Sequence, residues 1–293
     1  MTALLAAIPP PFDNAFQVGP LTVHFYGIAV ATGVLLAITI LRNGYVARGG
    51  SAELADRVAL WGVGLGFVGA RAGYVLPRME WFGGRFSLAR PLELIAINEG
   101  GIVLYGGLTL GLVTVLLVLR RRNGDIPAFL DALAPAVPAA QAVGRLGNYF
   151  NQELYGTRTE APWALQIAAP DGTVIDTVHP TFAYEALWNL ALAALLWQLG
   201  RRRVLPMGSL AFVYAIGYGI IRFLLEFVRT DERAFTYGLT ANGWVSVAVI
   251  AAGVVGLLVW RGRAPAAEDA EPVDGSEPER PNVDVEEDEP PRG

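Results

Sequence analysis

The chain has 293 residues, 53% of them hydrophobic and only 17% charged, with a mean hydropathy of +0.41 and a formal net charge of −5. Soluble domains carry about 25% charged residues, so an ordinary soluble enzyme is excluded, as is a wholly disordered chain, whose signature is low hydrophobicity. There is no cysteine, which excludes disulfide scaffolds, thiol nucleophiles and Cys-ligated metals.

Residues 1–20 lack a basic n-region and contain Pro9, Pro10 and Pro11; they predict an extracytoplasmic N-terminal segment, not a signal peptide. A spanning helix needs about 20 mostly apolar residues. Seven stretches qualify: 21–41, 55–77, 101–119, 128–150, 181–199, 207–228 and 243–260. The chain has no lysine, and its arginines follow alternate spans: Arg42 and Arg48, Arg120 to Arg122, Arg201 to Arg203, and Arg261 with Arg263. Basic short loops mark the cytoplasmic side, so the N-terminus is expected outside and the C-terminus inside. The expected fold is an all-α membrane protein, a bundle of seven transmembrane helices over 21–260. The opposite loops, 78–100 and 151–180, are expected to form small extracytoplasmic elements. No internal repeat supports an inverted-repeat transporter. Residues 264–293 are acidic and Pro-rich, the composition of a disordered, solubilising cytoplasmic tail.

Three arginines fall in or near the spans: Arg71, Arg145 and Arg222. Each costs about 2.5–3.5 kcal/mol at mid-helix on insertion scales, so each should face a partner or a wet cavity. The segment Gly144–Gly156 is rich in polar residues, and Gln141, just before it, shares one helical stripe with Arg145, Asn148 and Gln152; the plainer alternative is a polar helix end with Arg145 snorkelling. In Tyr218–Glu232 the residues Tyr218, Arg222, Glu226 and Arg229 again share a stripe with salt-bridge spacing, and a purely structural ion-pair ladder is the alternative. Arg71 and Tyr74 are neighbours in Gly69–Tyr74. His24 and Tyr26 open the first span, where interfacial anchoring competes with catalysis. Asn98–Gly107, with Tyr105, opens the third span and suits close packing. His179 and Glu185 read as helix-start residues around Pro180. Arginines, amides and tyrosines converging toward the outer half describe an anion site in lipid, and the nearest anion is a phospholipid phosphate.

These residues carry a resemblance. Gly144-Arg145-Leu146-Gly147-Asn148-Tyr149-Phe150-Asn151-Gln152-Glu153-Leu154-Tyr155-Gly156 looks like the signature of the prolipoprotein diacylglyceryl transferases. Five further blocks agree in order: His24 to Gly27, Gly69 to Tyr74, Glu99 to Gly101, His179 to Glu185, and Arg222 to Arg229. The resemblance covers roughly residues 15–260 and leaves out the acidic tail. It implies a seven-span enzyme of the bacterial plasma (inner) membrane. Such an enzyme moves the diacylglyceryl group of phosphatidylglycerol to the lipobox cysteine of preprolipoprotein signal peptides, releasing glycerol 1-phosphate. No cofactor, metal or nucleic acid is implied, and a monomer is the default. By resemblance Arg145 and Arg222 hold the phosphate, with Arg71, Asn148, Glu153, Gly156, Glu226 and Arg229 around the lipid headgroup. Tyr26 and Tyr218 lend hydroxyls, and Gly156 permits the turn leaving the motif. Relatives place a histidine in a Gly-Gly-x-x-x-His-Gly-Gly segment, where this chain has Tyr105. A tyrosine of pKa about 10 is a poor base near neutral pH, which leaves His24 or the arginine field to ionise the incoming thiol. The competing classes are a membrane anion or lipid transporter, a phosphatidylglycerol-binding scaffold and a seven-span receptor; a retinal pump would need a lysine.

Overall fold

A computed structural model describes residues 7–95, 101–229 and 235–262. The acidic tail, residues 96–100 (with Glu99 and Gly100) and residues 230–234 lie outside the described residues.

The described chain is mostly helical. A hairpin of β1 (Ala15–Val18) and β2 (Leu21–His24) leads into α1 (Phe25–Val46), followed by α2 (Ala52–Val75) and short α3 (Pro91–Ile95). Then come α4 (Leu104–Arg121), α5 (Ile126–Asn151), a hairpin of β3 (Leu165–Ala168) and β4 (Val174–Val178), α6 (Thr181–Arg202) and α7 (Leu210–Leu225). A last two-residue pair, β5 (Phe235–Thr236) and β6 (Leu239–Thr240), precedes α8 (Ala241–Arg261). Each of the seven stretches expected to span therefore holds one long helix. The first expectation is corrected at its start: residues 21–24 are strand, and the helix runs to Val46. Five of the seven are long and apolar enough to cross a membrane: α1, α2 with the turn after it, α4, α5 and α8. The other two fall short by those criteria. α7 has only 16 residues, and α6 carries the polar Glu185, Asn189 and Gln198 within its apolar run.

Local signals set several helix starts. Ser51 caps α2 by accepting from Leu54 N–H, and Asp125 caps α5 by accepting from Ala128 N–H at 2.9 Å. Thr240 caps α8, accepting from Gly243 N–H at 3.0 Å.

α5 is the central element. It buries 56% of its apolar window within the protein, against 11–22% for the other four. Its buried face is alanine-rich (Ala128, Ala132, Ala136, Ala139, Ala142), which lets α1, α6 and α7 approach closely. Pro135 and Pro138 interrupt its hydrogen-bond ladder without ending the helix. α2 packs on α4 and α7 on α8. Apart from α5, the long helices leave many large apolar side chains exposed, among them Leu35, Leu60, Phe67, Leu108, Leu187 and Val255, as lipid contact requires.

The β3–β4 hairpin carries one exposed ion pair, in which Arg158 Nε donates to Asp176 at 2.8 Å. That bond holds the Asp176 carboxyl below its ordinary value. A depressed folded-state pKa contributes stability above the unfolded value, about 3.9, and loses it as pH falls through the folded value. Amide exchange in 165–178, corrected for intrinsic rates, is therefore expected to be flat from pH 7 to about 5 and to rise only below about 4. A rise already near pH 6 would contradict this assignment.

Candidate active site

The polar cluster lies where α5 ends, α6 begins, α7 ends and α8 begins. Arg145 sits two turns before the end of α5, Glu185 in the second turn of α6 and Arg222 in the last turn of α7. Arg145 Nη2 stands 2.7 Å from Glu185 Oε1, and Arg222 Nη1 stands 3.8 Å from Glu185 Oε2. Glu185 is only 3% exposed, and the two arginine side chains are 22% and 17% exposed. Two guanidinium groups thus share one buried carboxylate. Arg222 Nη1 is buried and makes no hydrogen bond. An unmade hydrogen bond from a buried donor is costly, so the cluster retains an unspent capacity for an anion.

The flanking residues hold this geometry. Arg145 Nη1 donates to Asn148 Oδ1 at 3.3 Å, and Asn148 Nδ2 donates to Glu153 Oε1 at 2.8 Å. Asn151 Nδ2 donates to the same oxygen at 3.1 Å. Tyr218 lies within electrostatic reach of Glu185, Arg222 and Arg145. Tyr218 stacks on Tyr214 with ring centroids 5.8 Å apart, and the Tyr214 hydroxyl donates to Gln141 Oε1 at 3.2 Å. On the other side Arg222 Nη2 lies 3.9 Å from Glu226 Oε1, while Thr240 donates to Glu226 Oε2. The N-cap of α8 is thereby tied to the arginine cluster.

Two stripes expected from spacing run past the ends of their helices. α5 ends at Asn151; Gln152 adopts a left-handed conformation (φ 48°) and turns its Oε1 to accept from Ala168 N–H at 2.8 Å. α7 ends at Leu225, so Glu226 is its C-cap and Arg229 lies beyond, in backbone pairing with Gly156. From Glu226 to Val228 i−3 hydrogen bonds replace the α-helical ladder, so the stripe runs on past the end of the helix.

Tyr26 and Gly156 are placed by close approach. A Cβ on Gly147 would stand 2.7 Å from the Tyr26 ring, so a bare backbone at 147 seats that tyrosine against the motif helix. Gly156 has no left-handed φ, contrary to the turn expected of it. Its N–H donates to His179 C=O at 2.9 Å, and a Cβ there would meet His179 Cβ at 2.8 Å and Val228 C=O at 2.9 Å. It is the crossing point of three segments. Gly156→Val is expected to cost about 1–3 kcal/mol through overpacking, read as a lowered melting temperature. A melting temperature equal to the parent's would contradict the crowded-crossing account.

Arg71 sits elsewhere, among carbonyls: its Nε, Nη1 and Nη2 donate to Leu94, Gly101 and Glu93 at 2.8, 3.0 and 2.8 Å, and its guanidinium lies 5.7 Å from the Tyr74 ring. It ties the α2–α4 connection to α2. Tyr105, on α4, is 71% exposed, and His24 is exposed at the start of α1; α4 packs on α2, away from the α5–α7 cluster. Glu185 was legible only as a helix-start residue. Its fifth place in α6, too deep to cap that helix, was the missed signal. Tyr214 and Thr240 gave no sequence signal. Asn189, one turn beyond Glu185, is fully buried with both amide atoms unpartnered, extending the polar wall of α6.

The prolipoprotein diacylglyceryl transferase family model matches residues 13–260. The chain belongs to this family. A relative from Streptomyces coelicolor, named phosphatidylglycerol–prolipoprotein diacylglyceryl transferase 2, is 38% identical over 277 residues, covering 93% of this chain and 86% of the relative. The like-named Corynebacterium efficiens protein is 38% identical over 280 residues, covering 90% and 86%. That of Rhodococcus jostii is 36% identical over 289 residues, covering 93% and 80%. In a diacylglyceryl transferase, paired guanidinium forks beside an acid suit a phosphate ester well: each fork matches two phosphate oxygens.

Proposed function

We propose that this protein transfers the diacylglyceryl group of phosphatidylglycerol to the lipobox cysteine of preprolipoproteins, the first step of lipoprotein biosynthesis. The observation that carries the site assignment is the convergence of Arg145 and Arg222 on buried Glu185. In this reading the lipid phosphate enters between the two guanidiniums. The cysteine sulfur forms a bond to the terminal glyceryl carbon, the carbon–oxygen bond to phosphorus breaks, and glycerol 1-phosphate departs with the electron pair. The thiol proton leaves to water or to the released phosphate. Negative charge grows on the departing oxygen, and preorganised donors in a dry site act on that growth.

The thiol, with an ordinary pKa near 8.5, is driven toward thiolate by the same positive field, so neither Tyr105 nor His24 has to serve as base. Asn148 and Glu153 orient Arg145. Tyr218 and Tyr26 contribute hydroxyls to the headgroup site, with Gly156 and Arg229 at its rim and Arg71 bracing the neighbouring loop. Glu226 steadies Arg222.

The same reading places α1, α2 and α4 to α8 across the bacterial plasma membrane as seven spans, in a monomer, with the N-terminus outside. It is supported by the end-on arrangement of arginines: Arg48, Arg120 to Arg122, Arg201 to Arg203 and Arg261 follow helices that alternate in direction with their neighbours. At 1.5 Å per residue α7 is about 24 Å long, which a thinned bilayer or snorkelling ends accommodate.

Purified protein with phosphatidylglycerol and a lipobox peptide is expected to raise the peptide mass by one diacylglyceryl group. An unchanged peptide mass, with the protein folded and lipid bound, would contradict the enzyme reading; anion flux into vesicles without a covalent product would indicate a transporter.

A further inference from the structure

A cavity of about 980 Å³ lies at the opposite end of the bundle from the arginine–glutamate cluster. Asp131 marks its α5 wall, 14 residues before Arg145 on the same helix, a separation of about 21 Å along the axis. The ends of α1 and α6 face this space, and the start of α5 forms its floor with Asp131 and Pro135. Arg48, Arg201 and Arg203 stand at its mouth, and Ile40, Ala193 and Trp197 line it further along the helices. The groove thus runs from a cationic rim to an open apolar wall, on which Trp197 is half exposed, along about eight residues of helix, or about 12 Å.

Local contacts place the rim arginines. Arg48 Nη1 donates to Gly44 C=O at 2.9 Å, and a Cβ on Gly200 would stand 2.6 Å from its Nη2, so the guanidinium reaches across from α1 to α6. Arg201 lies 4.8 Å from the Trp197 ring. Arg203 occupies the left-handed C-cap of α6 (φ 48°), a place that favours glycine. The carboxylate in the cavity, Asp131, is answered by the start of α7, where it accepts from Leu210 N–H at 2.9 Å. It is also close enough to Arg48 for their charges to attract. The rim keeps net positive charge.

We infer that this groove is a second lipid site, which seats an anionic glycerophospholipid with its phosphate on Arg48, Arg201 and Arg203 and an acyl chain along Ile40, Ala193 and Trp197. Charge complementarity and the cationic-to-apolar order of the walls select a phospholipid. A basic pocket between spanning helices is the general form of such sites, and the volume falls in the range of ligand pockets, about 300–1,000 Å³. The site is separate from the transfer chemistry.

The full-length protein in phosphatidylcholine nanodiscs is labelled with trace phosphatidylglycerol carrying a photoactivatable acyl chain, or with the matching phosphatidylcholine probe, and the labelled peptides are mapped. The phosphatidylglycerol probe is expected to label 40–48 and 193–200 preferentially. The double variant Arg201→Gln/Arg203→Gln is expected to lose that labelling by about tenfold or more, since each arginine near a membrane surface contributes about 1 kcal/mol. Peptide transfer activity and labelling around Arg145 should stay unchanged, which shows the variant folded. Equal labelling by both probes would overturn the proposal. So would labelling that appears only after tail acids Glu286, Glu287, Asp288 and Glu289 are neutralised to their amides, because the acidic tail would then be the occupant.

Discussion

Arg145→Gln is expected to lower the turnover of a lipobox peptide at saturating phosphatidylglycerol by about 10²–10³-fold, the usual consequence of removing one preorganised donor from a developing oxyanion. Arg145 stands 2.7 Å from Glu185 and is itself held by Asn148 at 3.3 Å, so its fork is aimed before substrate arrives. Arg145→Lys keeps the charge and loses the planar pair of donors; its activity should fall between the parent and Arg145→Gln. Initial rates from peptide mass shifts check both. Turnover of Arg145→Gln within about threefold of the parent would remove Arg145 from the chemistry.

Glu185→Gln is expected to destabilise the protein as well as slow it. The carboxylate is 3% exposed and is the nearest counter-charge to two guanidiniums. Breaking a buried ion pair by removing one partner costs about 3–5 kcal/mol, because the remaining charge is left uncompensated. Here Arg145 loses its paired carboxylate, and among the described residues Arg222 keeps only that of Glu226, at 3.9 Å. Phosphatidylglycerol, which supplies the missing negative charge, should raise the melting temperature of Glu185→Gln more than that of the parent, since binding to the folded state alone stabilises it. A variant as stable as the parent, with equal response to lipid, would show that Glu185 does not neutralise the pair.

The helices were legible wherever an apolar run was long and unbroken. α5 was readable from its small apolar residues, and its polar end at Arg145 and Asn148 was readable from charge placed where charge is expensive. The β1–β2 hairpin was not, because four-residue strands carry too little alternation to stand out from the start of an apolar helix. Helix ends were the weakest reading, and they mattered: Gln152, Glu226 and Arg229 kept their helical spacing in sequence but lie at or past the last turn. Glu185 was visible as a residue but not as the centre of the site. Nothing local to α6 says that its second turn faces the ends of α5 and α7, and only tertiary packing brings Arg145 and Arg222 to it. Thr240 was hidden for the same reason, as its bond to Glu226 joins residues from different helices.

In the proposed reaction the two guanidiniums act on a phosphate that leaves together with its bridging oxygen. Phosphatidylglycerol carrying oxygen-18 between the terminal glyceryl carbon and phosphorus tests this directly, with both products weighed. All of the heavy oxygen is predicted in the released glycerol phosphate and none in the lipidated peptide. Heavy oxygen recovered in free diacylglycerol, with a glycerophosphoryl group on the peptide sulfur, would mean that the bond to phosphorus is the one that breaks, and the roles given to Arg145 and Arg222 would be wrong.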